Sequence, residues 1–338
     1  MRVGEESTAG EARTEMLSSV AERIYWLGRY LERVENTARL VNSYSAMLFD
    51  LPTGSHIGWG LLIDITGCSA GYRSAYQTVE EKQVVRFLLA DAKNPSSVLN
   101  CANMMRENAR TTREVMPAEA WEQINQLYLS LKDGLARTLS RQARHQILEK
   151  VEADCQRIAG IIGGCMSHNT AFSFVQLGRK IERADMTSRI VDVGSISMLP
   201  SFSSTTKQKA FLEPHENVVW MNVLRCVSGY QAYRQKTHSQ VKGEDVVKFL
   251  LQDDEFPRAI GYCLNDLDHQ LRKLPNNAEV QHAVTRVRKV TTSVDVGTLL
   301  ERGLLDFIDE LQISIADIHD EINNTWFRPV ELRKAARK

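Results

Sequence analysis

The sequence predicts an all-α protein: a helical bundle built from two diverged copies of one multi-helix unit, with an approximate two-fold relation. Three observations lead there. Apolar residues recur at spacings of three and four, which gathers them on one helix face at about 100° per residue. Period-two apolar runs and long β-branched runs, the marks of strands, are scarce. Two sequence blocks each occur twice, in the same order, and a repeat constrains architecture before any single element does.

Residues 1–15 are polar and acidic and are expected to form a disordered extension, with Met16 an alternative start. The first helix signal begins there. Ser18 or Ser19 can cap it, and Glu22 stands at capping-box spacing from Ser19. Leu27, Leu31, Val34, Ala38 and Val41 share one face. Arg29, Glu32, Arg33, Glu35, Asn36 and Arg39 fall on the other. Leu51-Pro52-Thr53-Gly54 is breaker chemistry. One helix is expected over Trp59–Tyr76. Thr78 and Glu81 pattern as a capping box opening Val84–Leu89. Asn94-Pro95 patterns as an N-cap and first helical position for a helix reaching towards Arg113. Pro117 restarts the pattern, carried by Trp121, Ile124, Leu127 and Leu131. A long helix follows around Ala143–Ile162, punctuated by Gly163-Gly164. Residues 195–210 are Ser/Thr-rich and read as a loop. Near the end, Leu304, Ile308, Leu311, Ile315 and Ile318 step along one helix face. The expected organisation is therefore a first helical unit at 16–150, a second at 151–328 and a basic tail at 329–338.

The 338 residues carry 42 Lys plus Arg and 42 Asp plus Glu. That balance offers no overall attraction for a nucleic-acid backbone or an anionic membrane. No apolar run approaches the ~20 residues of a spanning helix. The six cysteines form no Cys-x-x-Cys pair. They read as reduced, mostly buried thiols of a cytoplasmic protein.

The repeat is the most informative feature. LGRYLERVENTAR (27–39) returns as LGRKIERADMTSR (177–189), with seven of 13 positions identical. VVRFLLADAKNP (84–95) returns as VVKFLLQDDEFP (246–257). Trp59 and Trp220, then Gly71-Tyr72 and Gly229-Tyr230, lie between the blocks in matching order. Helix propensity does not ask for Gly-Arg and Glu-Arg at fixed spacing in both copies. The candidate functional residues are therefore Arg29, Glu32, Arg33, Glu35 and Arg39, and their counterparts Arg179, Glu182, Arg183, Asp185 and Arg189. Three readings are open: a solvated ladder of i,i+4 ion pairs, a buried Arg–carboxylate network between the copies, or a pocket in which the arginines hold an anion. Gly28 and Gly178 each cost about 0.8–1 kcal/mol in a helix relative to Ala, which points to close helix approach and favours the packed readings.

At these residues the sequence resembles the bacterial alpha-E family, an all-helical family named for its Glu-Arg motif and without an assigned reaction. The opening MLSSVAERIYWLGRYLERVENTARL (16–40), the second motif LGRKIERADMTSRI (177–190), the stretch RENARTTREVMPAEAWEQINQLYLSL (106–131) and the closing IADIHDEINNTWF (315–327) carry the likeness. Departures fall at 167–170 and Phe172, where more charge and a tryptophan are expected, and at Trp326, where tyrosine is expected. By gene context, the resemblance implies an ATP-grasp ligase and a transglutaminase-like peptidase as partners in making or tagging a peptide.

The chain carries no Walker-type loop and no His-Glu-x-x-His helix. Gly67-Cys68-Ser69-Ala70-Gly71 fits the nucleophile-elbow string, but the elbow needs a sheet around it. Glu279/His282 and Asp266/His269 have metal-bundle spacing without a counterpart in the first half. No metal or cofactor is expected. The leading expectation is an accessory module that binds an anion or peptide beside the ligase and has no catalysis of its own; self-association is compatible with it. The alternatives are an enzyme subunit (a ligase or transferase) using the Glu/Arg helices for acid–base and oxyanion roles, and a purely structural scaffold.

Overall fold

The computed structural model describes residues 16–50, 58–136, 140–196, 217–238 and 240–328. All regular structure among them is helical. The expected extension at 1–15, the breaker at 51–54, most of the 195–210 loop and the basic tail lie outside the described residues.

Helix α1 (Ser18–Asp50) is one continuous helix of 33 residues. Its apolar stripe is buried, but so are Glu32, Glu35, Asn36 and Arg39 on its polar side. A helix covered all round runs through a core rather than along its edge. After it come α2 (Gly60–Ile65), α3 (Ser69–Ala75), α4 (Glu81–Leu89), α5 (Val98–Thr111), α6 (Ala118–Leu135), α7 (Arg141–Cys165) and α8 (Thr170–Ile196). Residues 217–226 form α9. The rest are α10 (Tyr230–Thr237), α11 (Gly243–Gln252), α12 (Ile260–Leu271), α13 (Ala278–Ser293), α14 (Val296–Arg302) and α15 (Leu304–Ile322), closed by a π-helical turn at Asn323–Phe327.

Helices α1 and α8 pack on each other at the centre. Around α1 lie α5 and α7, with α6 against both; around α8 lie α12 and α15, with α13 against both. Helix α7 runs continuously through residues 150 and 151. Leu304, Ile308, Leu311, Ile315 and Ile318 are all buried, as their spacing on α15 demands.

Several local expectations need correction. The helix expected over Trp59–Tyr76 breaks in two at Gly67, whose φ of 66° is left-handed. The Thr78/Glu81 capping box does not form: Thr78 bonds to the Gln83 side chain instead. Asn94 is not a helix cap; its amide donates to the Phe87 carbonyl and its oxygen accepts from the Ser96 N–H, and Ser97 caps α5. Gly163 and Gly164 do not end α7, which continues to Cys165. The Gly-x-Ser-x-Gly string has no strand before it; Ser69 opens α3 and bonds to Asp64.

Candidate functional site

Two glycines let the central helices touch. A Cβ on Gly28 would stand 2.3 Å from the Val175 carbonyl oxygen, and a Cβ on Gly178 2.1 Å from that of Tyr25. Backbone therefore meets backbone at the crossing, and the side chains one turn on are driven into each other's helix. Glu182 receives Arg33 in a two-pronged grip, Nε at 2.5 Å and Nη2 at 2.9 Å, and Arg29 Nε at 2.7 Å. Glu32 receives Arg183 in the same way, at 2.6 and 2.8 Å, with Arg179 Nε at 3.5 Å. Each carboxylate is thus held by the two arginines of the opposite helix. Such planar two-pronged pairs are the strong form of ion pair.

Glu32 is 0 % exposed and Glu182 2 %. Burial alone would raise both carboxyls, but the arginines outweigh it. Arg33 and Arg29 bring Glu182 down to about 2, and Arg183, Arg258 and Arg179 hold Glu32 far below the usual carboxylate range. A general base works best with a pKa near the operating pH. These two groups are ionised and already saturated with hydrogen bonds, so they are poorly suited to take up a proton.

The remaining candidates extend the network unequally. Glu35 pairs with Arg39 on its own helix at 2.5 Å and with Arg258 at 2.7 Å; Arg39 also faces Glu152 at 3.2 Å. Asp185 pairs with Arg189 at 3.0 Å, and a Cβ on Gly67 would lie 2.8 Å from Arg189 Nη1. The solvated-ladder reading does not describe the central pairs, which are buried and run between helices.

Sequence reasoning missed several members. Arg258 follows the second copy of the repeated block and touches Glu32, Glu35 and Asn36; Ser96 stands at that place in the first copy. Burial, together with Arg183 and Arg39, lowers Arg258 to about 10. Cys101 and Cys263, read from the sequence only as buried thiols, stand beside Arg33 and Arg183. Their thiols donate to the Pro95 and Pro257 carbonyls, at 3.7 and 3.6 Å. Burial pushes them up to about 12 and about 11, against the pull of Arg33 and Arg183 respectively. On the other side, Tyr25 accepts from Arg29 Nη1 at 3.2 Å and lies 2.8 Å from His319 Nδ1 on α15. The repeat gave no signal for Arg258, which lies one position beyond the matched block and is replaced by Ser96 in the first copy. Nothing in the spacing pointed to His319.

A family model described as a predicted alpha-helical domain with a conserved ER motif matches residues 16–327. The chain belongs to the Alpha-E family. Of the Glu-Arg dipeptides in this Alpha-E chain, Glu32-Arg33 and Glu182-Arg183 are the ones brought together at the crossing. Similar proteins include an uncharacterised protein of Mycobacterium bovis (strain ATCC BAA-935 / AF2122/97) and one of Mycobacterium tuberculosis (strain ATCC 25618 / H37Rv). Each is 22% identical over 277 residues, covering 77% of this chain and 30% of the relative. The chain thus spans under a third of the length of these relatives. No solved structure matches it.

No helix is long and apolar enough to cross a membrane among the described residues, and no group of three or more His, Cys, Asp or Glu there could hold a metal ion. Glu279 and His282 are exposed, and Asp266 pairs with Lys180 at 3.0 Å.

Proposed function

We propose that this Alpha-E protein is a cytoplasmic accessory module, built from two diverged copies of one helical unit. It docks an ATP-grasp ligase and a transglutaminase-like peptidase in a system that makes or tags a peptide. The reciprocal Glu–Arg clamp carries the reading: it commits the polar residues most suited to chemistry to holding α1 against α8. The duplication is supported by the matched places of Gly28 and Gly178, of Arg33 and Arg183, and of Cys101 and Cys263. Support also comes from the like order of helices around α1 and α8. An accessory role is supported by the long relatives, in which the matching stretch is a minor part of the chain. The test is co-expression with a ligase and a peptidase of these two classes from the same genome. A complex that survives gel filtration at micromolar concentration is expected; separate elution of all three would overturn the reading.

A second reading, a small anion held in the network, has its own observation. Asn36 Nδ2 and Arg39 Nη1 are buried donors without a hydrogen-bond partner, and Arg39 Nε and Arg179 Nε meet only ion-pair contacts, with Glu152 at 3.2 Å and Glu32 at 3.5 Å. Unpaired buried donors cost about 1–3 kcal/mol each, which an anion or ordered water would recover. A thermal-shift series with phosphate, sulfate and chloride tests it; an unchanged melting temperature across the series removes it.

A further inference from the structure

A second polar feature lies away from the clamp, where α4 faces the end of α6 and the start of α7. Along α4, Lys82, Val85, Arg86 and Leu89 follow one another at i, i+3, i+4 and i+7, so a single stripe alternates cation and apolar side chain. Leu135, Ala136, Arg141 and Arg144 form the opposite wall, and the open groove between has a volume of about 700 Å³. Among the described residues, four cations line it against one carboxylate, Glu81. That carboxylate is already taken, by Arg141 through two nitrogens and by Arg144 Nη2 at 3.0 Å. Lys82 and Arg86 are exposed and join no ion pair among the described residues.

The wall is built rather than incidental. Arg144 is 7 % exposed, its guanidinium stands 5.7 Å from the Trp59 ring centre, and Nη2 also reaches Ser45 Oγ at 3.4 Å. The chain as a whole is neutral, so this concentration of positive charge above an apolar floor is local. We propose that the groove docks a short acidic segment of a partner polypeptide, its carboxylates on Lys82 and Arg86 and its apolar side chains on the half-buried Val85 and Leu135. The α4 stripe is about 10 Å long at ~1.5 Å per residue, and an extended segment of three to four residues covers it at ~3.3 Å each. Charge complementarity selects acidic over basic partners. A groove that runs open between two helix surfaces suits a segment better than a small molecule, which its site normally buries by about 70–90%.

The proposal rests on the binding-module reading, and fluorescence anisotropy on the full chain tests it apart from the ligase. The probe is a labelled peptide, Glu-Leu-Asp-Phe-Glu, with Lys-Leu-Lys-Phe-Lys as its control. The acidic peptide is expected to bind, with affinity falling at least tenfold from 50 to 500 mM salt and at least tenfold in the double variant Lys82→Glu/Arg86→Glu. Both positions are exposed, and an unchanged melting temperature confirms that the variant folds. Four results each overturn the groove: no binding at millimolar peptide, equal binding to the double variant, equal binding of the basic peptide, or full displacement by ~1 mM inorganic phosphate at constant ionic strength. Peptide binding without ligase co-elution would instead sink the partner assignment and leave the groove standing.

Discussion

Gly178 lies so close to Tyr25 that a methyl group on it would come within 2.1 Å of the Tyr25 carbonyl oxygen and 3.0 Å of its carbonyl carbon. Neither atom can move without shifting α1 itself. Gly178→Ala and Gly28→Ala should each destabilise the fold by about 2 kcal/mol or more, because overpacking outweighs the ~1 kcal/mol gain in helix propensity. Gly163→Ala is the control. Its Cβ meets nothing within 4 Å, so the same substitution should stabilise by roughly 0.5–1 kcal/mol. Urea unfolding of the three variants reads both signs, and a stable Gly178→Ala would refute the close crossing.

Removing Glu182 from the clamp leaves the buried Arg29 and the half-buried Arg33 without their shared carboxylate. Glu182→Gln should cost about 3–5 kcal/mol, the usual penalty for breaking a buried pair from one side. Glu32→Gln should cost at least as much, because three arginines converge on Glu32. Equilibrium denaturation decides. If both variants melted like the parent, the clamp would have no part in holding the helices together.

Asp192 gives a pH signature. Burial and the neighbouring Asp309 raise its carboxyl to about 6, partly offset by Arg189. An acid whose folded pKa lies above its unfolded ~3.9 favours the fold below that value, and the contribution is lost as pH rises through about 6. Asp192→Asn should therefore leave stability at pH 4 nearly unchanged and raise it at pH 7.5. The gain should be on the order of 1 kcal/mol, since the group is partly solvated and its ~1.4 kcal/mol per unit is screened. Melting curves at the two pH values test this.

His319 tilts the pH profile the other way. Burial and then Arg29 lower its pKa below the ordinary ~6.5. Its neutral ring therefore supports the fold above that value, and the support is lost as pH falls through the depressed folded pKa. Tyr25 Oη stands 2.8 Å from His319 Nδ1 and accepts from Arg29, so a protonated ring would add a positive charge beside that guanidinium. His319→Gln should flatten the loss of melting temperature between pH 7.5 and 5. An identical slope in the variant would show that the Tyr25–His319 bond does not titrate with the fold.

Helix content, the long first helix and the apolar face of α15 were legible because each depends on a local period. The pairing of Glu32 with Arg183 was legible in part: the repeat singled out the residues, and the two glycines hinted at contact. Which arginine grips which carboxylate was not, since that depends on how two helices 150 positions apart are set across each other. The mistaken cap at Asn94 has a simple cause. An Asx turn and a helix start use the same side-chain oxygen on nearby N–H groups, and here the turn to Ser96 won. Gly67 needed knowledge of Arg189, which fills the space beside it.

The clamp also orders events in time. Arg29, Glu32 and Arg33 leave the ribosome about 150 residues before Arg179, Glu182 and Arg183, a delay of roughly 8–30 s at ~5–20 residues per second. During that interval the amino-terminal helix carries ionised groups whose counterparts do not yet exist, and water must solvate them. The protein's buried centre can close only once the second half has been made.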